Sequence, residues 1–271
     1  MASRAFPFIE IPDRSQKPRT RGLTLARDLG VGYTEAESYM ESVGEFIDYI
    51  KIRHLFVLLM SEAKDDLVRR KIELYKKHDV DVSPGGIVYE MAYISNSVNE
   101  TFDKLAELGF TAVELSENII PLTLEEKKAH IRAAKSAGLK VMFEVGEKYP
   151  TENLDVDLAV SDMKELLAEN CDLLILEKSV IEQCLGQAGE KPERETLVQI
   201  IDRIGLEKIV FEAEASPHQV WLFKTFGPDV NLGPNLDFPI IQKLEPTRRT
   251  LSREGGYDYL IDRVKGSSAA A

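Results

Sequence analysis

Four apolar runs of this sequence each deliver a glutamate: TAVELSEN at Glu114, LKVMFEVGEK at Glu144, LLILEKS at Glu177 and IVFEAE at Glu212. An unpaired carboxylate inside a strand carries a heavy desolvation cost, so these acids belong where a strand end meets a cation or solvent. Hard oxygen donors of this kind suit Mg2+, with Mn2+ as the second choice, and leave a substrate carboxylate room in the shell. The alternative is that each acid pairs with a lysine such as Lys51 or Lys148, since ion-pair networks also gather in sites. Lys148 stands just past a strand end, beyond Gly146. A lysine so placed can act as a general acid or a Schiff-base nucleophile, or simply be a solvated loop residue. The SPGG stretch, Ser83 to Gly86, offers Gly85 and Gly86 either as a backbone nest for an anion or as a tight turn before a helix. Of the four histidines only His54, beyond the second apolar run, is placed for chemistry. No HxxxH or HxH pair suggests zinc, and no GxSxG suggests a serine nucleophile.

These residues need elements to carry them. Short β-type runs alternate with helical stretches, the pattern of repeated βα units around a parallel sheet. Strands are predicted over Leu23–Asp28, Phe46–Ile52, Asp81–Pro84, Ala112–Leu115, Lys140–Val145, Leu173–Glu177, Ile209–Ala213 and Val230–Leu232. Between them lie helical stretches such as KDDLVRRKIELYKKH, LEEKKAHIRAAKSA and RETLVQIIDRI, and several stop at a glycine such as Gly109 or Gly138. Eight such units predict a single-domain α/β fold, the (β/α)8 TIM barrel; a doubly wound sheet is disfavoured because no GxGxxG follows the first strand. The proline-rich segment 1–20 reads as an extended N-terminal arm, 21–265 as the barrel, and the terminal GSSAAA, 266–271, as a linker or appended tail. Barrels of this kind work at the carboxyl ends of their strands. That end collects Asp28, Lys51, Glu114, Glu144, Lys148, Glu177 and Glu212, with Asn231 and Gly233 after the last strand.

With 46 acidic and 34 basic residues in 271, a net charge of -12, the chain lacks the basic footprint of a nucleic-acid binder. No apolar run is long enough to span a bilayer. Cys171 and Cys184 have no metal-type spacing and no secretory segment precedes them, so reduced thiols and a cytoplasmic location are expected. Homo-oligomerisation stays open.

The stretches KPRTRGLTLARDLGVG, GEFIDYIKI, VSPGGIVYEMAY, ELGFTAVELS, GLKVMFEVGEK, IGLEKIVFEA and FGPDVNLG together resemble the phosphosulfolactate synthase family, whose relatives include a plant heat-stress-associated protein. The resemblance runs from about Lys17 to Arg249. It implies a TIM barrel and a carbon–sulfur lyase chemistry: sulfite adds to phosphoenolpyruvate with Mg2+, through an enediolate that a metal on strand-end acids stabilises. By the same resemblance Lys148 corresponds to the proposed general acid, and Asp28, Lys51, Glu144 and Glu212 fall at the barrel mouth. The expected partners are therefore small molecules, an unsaturated carboxylate and a sulfur nucleophile, either sulfite or a thiol. The catalytic candidates are Lys148, Lys51 and Asp28; the metal candidates are Glu114, Glu144, Glu177 and Glu212. For substrate contact the candidates are Arg53, His54, Gly85, Gly86, Ser116, Lys178, Asn231 and Gly233.

The chain also departs from that family. RHLFVLL, Arg53 to Leu59, stands where the synthases carry a glycine-rich GWGTS-like segment; ENI, Glu117 to Ile119, replaces DGT; EKSVIE, Glu177 to Glu182, replaces an EGRESG-like loop; and EVGEK replaces EVGKK. Loops that suit phosphate and sulfonate have lost glycines and an arginine. An unphosphorylated acid such as fumarate is thus an alternative, with Arg53 or Lys178 supplying charge and Leu55 to Leu59 an apolar wall. The alternative of another class is a non-catalytic, stress-related barrel.

Overall fold

The computed structural model describes residues 5–150, 152, 154–186, 194–253 and, beyond them, 257, 261 and 265. The tail expected at 266–271 lies outside the described residues. Eight strands follow one another as β1 (Thr24–Asp28), β2 (Tyr49–Ile52), β3 (Asp81–Pro84), β4 (Ala112–Leu115), β5 (Lys140–Val145), β6 (Leu173–Leu176), β7 (Ile209–Phe211) and β8 (Asn231–Asp237). They pair in parallel in the order β3-β2-β1-β8-β7-β6-β5-β4. The ends of that sheet approach each other: Thr111, just before β4, donates its N–H to the Val82 carbonyl of β3 at 3.0 Å, and its hydroxyl accepts from Val82 N–H at 2.9 Å. The result is a nearly closed (β/α)8 barrel.

Helices fill every crossover: α1 (Tyr33–Val43), α2 (His54–Leu58), α3 (Leu67–Lys77), α4 (Gly86–Ile94), α5 (Val98–Leu108), α6 (Leu124–Ser136), α7 (Val156–Ala168), α8 (Lys178–Leu185), α9 (Arg194–Ile204), α10 (Ser216–Phe226) and α11 (Phe238–Arg248). Their starts are written locally. Asp66 and Asp155 accept the N–H groups of Val68 and Leu158, and Thr123 with Glu126 forms a reciprocal capping box.

Side chains alternate along a strand, and this sorts the molecule into layers. One face of each strand packs on the helices in the large core that includes Ala26, Ile50, Val113, Phe143, Leu174 and Phe211. The other face fills the barrel with Leu23, Leu25, Tyr49, Ala112, Met142, Leu173, Ile175 and Val210. Two residues further along these inward rows stand Arg27, Lys51, Glu114, Glu144, Glu177 and Glu212. The glutamates at the ends of apolar runs are thus the polar lid of an apolar plug.

Five strands differ from expectation at their ends: β1 begins one residue later, at Thr24, β6 ends one earlier, at Leu176, β7 ends two earlier, at Phe211, and β2 and β8 differ most. The second strand begins at Tyr49 rather than Phe46, because Gly44–Phe46 forms a 3-10 turn and Asp48 spends its carboxylate on the Thr24 N–H and Arg19. The eighth runs to Asp237 rather than stopping at Leu232. The arm residues lie against the amino end of the barrel. Arg14 pairs with Glu245 at 3.2 Å, Arg19 with Asp48 at 2.9 Å, and Lys17 donates to the carbonyls of Gly44, His78 and Asp79. At the same end the buried Arg248 donates to the carbonyls of Pro228, Val230 and Leu23.

Candidate active site

At the carboxyl ends of the strands a chamber of about 400 Å³ is lined by Arg27, Asp28, Leu29, Lys51, Arg53, His54, Gly85, Gly86, Ile87, Glu114, Asn118, Glu144, Lys148, Glu212 and Asn235. Three acids from three consecutive strand ends converge beneath it. One carboxylate oxygen from each of Glu144, Glu177 and Glu212 lies within 4.8 Å of the other two. All three side chains are buried. Burial, aggravated by the charges of Glu114 and Glu212, pushes Glu144 up to about 8. Burial and the nearby Glu177 push Glu212 up to about 7, and burial raises Glu177 as well. Three carboxylate oxygens gathered this closely at one buried point form a donor set that fits a hard divalent cation.

Glu114, the fourth expected ligand, is turned to a different task. Lys51 Nζ lies 3.3 Å from each of its oxygens, and the Gly86 N–H donates to Oε1 at 3.1 Å. A Cβ on Gly86 would stand 2.3 Å from Ser116 Oγ and 3.3 Å from Glu114 Oε1, so glycine is needed to bring the start of α4 this close to β4. The N–H at that helix start is therefore occupied by the protein's own carboxylate.

Lys148 reaches the chamber from the exposed segment after β5, and Arg53 and His54 from the segment after β2. Burial, together with Arg53 and Lys51, holds His54 below the ordinary histidine value, which keeps its imidazole neutral near pH 7. Asp28 lines the chamber, but both its oxygens are engaged: Oδ2 takes the Lys71 ammonium at 2.5 Å and the Tyr75 hydroxyl at 2.7 Å, while Oδ1 takes the N–H groups of Gly30 and Val31. It joins α3 to the end of β1 rather than standing ready for proton transfer.

The other expected residues are placed elsewhere. Asn231 is at the amino end, its amide shared among Leu23 N–H and the carbonyls of Leu206, Glu207 and Ile209. Gly233 packs inside the barrel, where a Cβ would stand 2.4 Å from the Leu25 backbone. Because β8 continues past both, Asn235 takes the chamber position and donates its amide to Glu212. Ser116 is buried outside the lining and donates to Glu90. Lys178 is also outside it, 3.9 Å from Glu182 and 4.0 Å from Glu214. The apolar run Leu55 to Leu59 forms α2 and its end, with Leu55, Leu58 and Leu59 exposed, and none of it lines the chamber.

Besides Asn235, four contributors were not expected from the sequence. Arg27 sits on the inward row of β1 and pairs with Asp237 at 2.5 Å. Asn118 is held by the buried Glu90, which accepts its N–H and amide at 3.1 Å each and the Ile119 N–H at 2.7 Å. Glu90 left one signal, a lone acid in the apolar run IVYEMAYI. Lys71 left another, since Val68, Lys71, Ile72 and Tyr75 share one face of α3 at helical spacing.

Against known proteins, the sequence profile of the family described as (2R)-phospho-3-sulfolactate synthase matches residues 12–254. The phosphosulfolactate synthase of Methanothermobacter thermautotrophicus is 32% identical over 251 residues, covering 91% of this chain and 95% of that protein. A plant relative, Protein HEAT-STRESS-ASSOCIATED 32 of Arabidopsis thaliana, is 26% identical, covering 83% of this chain and 85% of its own. Among solved structures the YdjI aldolase of Escherichia coli K12 superposes with a TM-score of 0.54 at 12% identity, covering 82% of this chain and 78% of that one, a likeness of fold alone.

Proposed function

This chain belongs to the (2R)-phospho-3-sulfolactate synthase family, and from that membership we propose that its chamber forms a carbon–sulfur bond by conjugate addition of a sulfur nucleophile to an unsaturated carboxylate. The carrying observation is the convergence of three buried strand-end acids beneath a rim of cationic side chains. Glu144, Glu177 and Glu212 would hold a divalent cation, Mg2+ or Mn2+. When bound, that cation supplies positive charge to the substrate carboxylate as the double-bond electrons shift onto it. Lys51, kept in place by Glu114, and Arg53 orient the acid by charge; the neutral His54 offers a hydrogen bond. Lys148, at the solvent edge, delivers a proton to the carbon beside the carboxylate, and solvent restores it.

Phosphoenolpyruvate and sulfite are the pair the family name implies. The start of α4 favours an unphosphorylated acid such as fumarate, because the Gly86 N–H there is already taken by Glu114 and is not free to hold a phosphate. The test is turnover of purified protein with Mg2+ and a panel of unsaturated acids and sulfur nucleophiles, with products read by NMR. We expect a carbon–sulfur adduct that disappears on exhaustive chelation with EDTA and returns with Mg2+ or Mn2+. No adduct from any pair, together with no cation binding by calorimetry, overturns the reading and leaves a non-catalytic barrel.

A further inference from the structure

A second groove, of about 520 Å³, opens beside the chamber between the segments that follow β4 and β5, and shares Asn118 and Lys148 with it. Its apolar faces are Ile119, 58% exposed, and Tyr149, 86% exposed, with Pro121 and Leu122 between. Both walls are built. Glu90 pins Asn118 and Ile119 through their N–H groups, and the Ser179 hydroxyl pins the Glu147 carbonyl at 2.6 Å. Gly146 makes the turn into the second wall at φ 111°, where a Cβ would strike Val180 at 2.5 Å.

The position of this groove bears on the nucleophile. In a conjugate addition sulfur bonds to the alkene carbon farther from the activating carboxylate. With that carboxylate drawn toward the buried acids and Lys148 delivering its proton to the carbon beside it, the proposed chemistry puts the reacting carbon on the side of the rim where Asn118 and Lys148 stand. The sulfur therefore arrives from the side on which the groove begins. Sulfite has no substituent to place there, whereas a thiol does. Glu117 on one wall is already paired with Lys127 at 2.8 Å, and the exposed Glu147 on the other disfavours an anionic substituent.

We infer, resting on the reaction proposed above, that the sulfur nucleophile of this chain is an organic thiol whose neutral or cationic carbon arm lies in this groove. The thiol gives its proton to solvent and its sulfur electron pair forms the C–S bond. The π pair moves toward the carboxylate, and a proton from Lys148 enters at the neighbouring carbon. The sum is addition of a thioether sulfur and a hydrogen across the double bond, with no oxidant or reductant.

The test compares wild type with Tyr149→Ala and Ile119→Ser, both exposed positions, using fumarate with cysteamine, mercaptoacetate or sulfite. Expected is kcat/KM in the order cysteamine above mercaptoacetate and sulfite, with the cysteamine value falling about tenfold in either variant, the scale of a few lost apolar contacts, and the sulfite value unchanged. A preference for sulfite, or equal losses for sulfite and cysteamine, overturns the inference. Should none of these three pairs turn over, the groove is judged apart from the reaction, by calorimetry with the thioether adduct of cysteamine and fumarate. About tenfold weaker binding by Tyr149→Ala supports the groove as a thiol-arm subsite; equal binding, or none by wild type, overturns it.

Discussion

Lys148 and the acids below it differ in what their removal should disturb. Lys148 is exposed and contributes little to packing. Lys148→Ala is therefore expected to lower kcat by about 10²–10⁴, the usual worth of a general acid, while the melting temperature stays put. Lys148→Arg should not restore the rate, because a guanidinium stays charged and does not hand over its proton. Paired kcat and thermal-melt measurements check both; near-normal turnover in Lys148→Ala would assign the proton to another group. Glu144 behaves in the opposite sense. Its carboxylate is forced among like charges and pushed up to about 8, so Glu144→Gln should stabilise the cation-free protein at pH 8.5 while weakening Mg2+ binding. A variant that melts lower under chelation would show that Glu144 is held by a protein cation instead.

Among elements, the tie between β1 and α3 is the clearest load. Asp28 and Lys71 are buried and lie 2.5 Å apart. Lys71→Met leaves an uncompensated buried carboxylate and should cost about 3–5 kcal/mol, read by urea denaturation. Asp28→Asn combined with Lys71→Met should recover part of that loss, and an additive loss would refute the pairing. This tie also marks the limit of what the sequence tells. Asp28 was visible as a strand end, but its partners come from a helix more than forty residues later, and the contact needs the folded barrel. The strand-end glutamates were legible because β4 to β7 are short apolar runs in which a charge stands out. The start of β8 was legible too, but its continuation was not, because GPNLD carries a glycine and a proline that erase the strand pattern. The five residues missing from its end, 233 to 237, moved the expected site from Asn235 to Asn231 and Gly233, one at the floor and one inside the barrel. Ser116 was placed beside the right strand, yet its hydroxyl serves Glu90, whose location only packing reveals.

At the scale of the molecule, the raised acids link stability to pH. A carboxyl that binds its proton more tightly when folded makes the folded state the proton-richer one, so stability falls as pH rises from the unfolded carboxylate range through the folded values. With Glu144 at about 8 and Glu212 at about 7, the melting temperature under EDTA should decline between about pH 5 and 8, a window set by the free carboxylate value and these two. Saturating Mg2+ should flatten the decline, since cation binding to the deprotonated acids stabilises the fold by mass action. Identical pH profiles with and without Mg2+ would argue that the trio holds no cation. The arm, for its part, is anchored across the floor by Arg14, Lys17 and Arg19, at the end of the barrel opposite the chamber. Thr20 on that arm is exposed, and both native cysteines are buried. A Thr20→Cys protein thus presents one accessible thiol at this end among the described residues, and coupling it to a sensor surface would orient every molecule with its chamber facing the flowing solution.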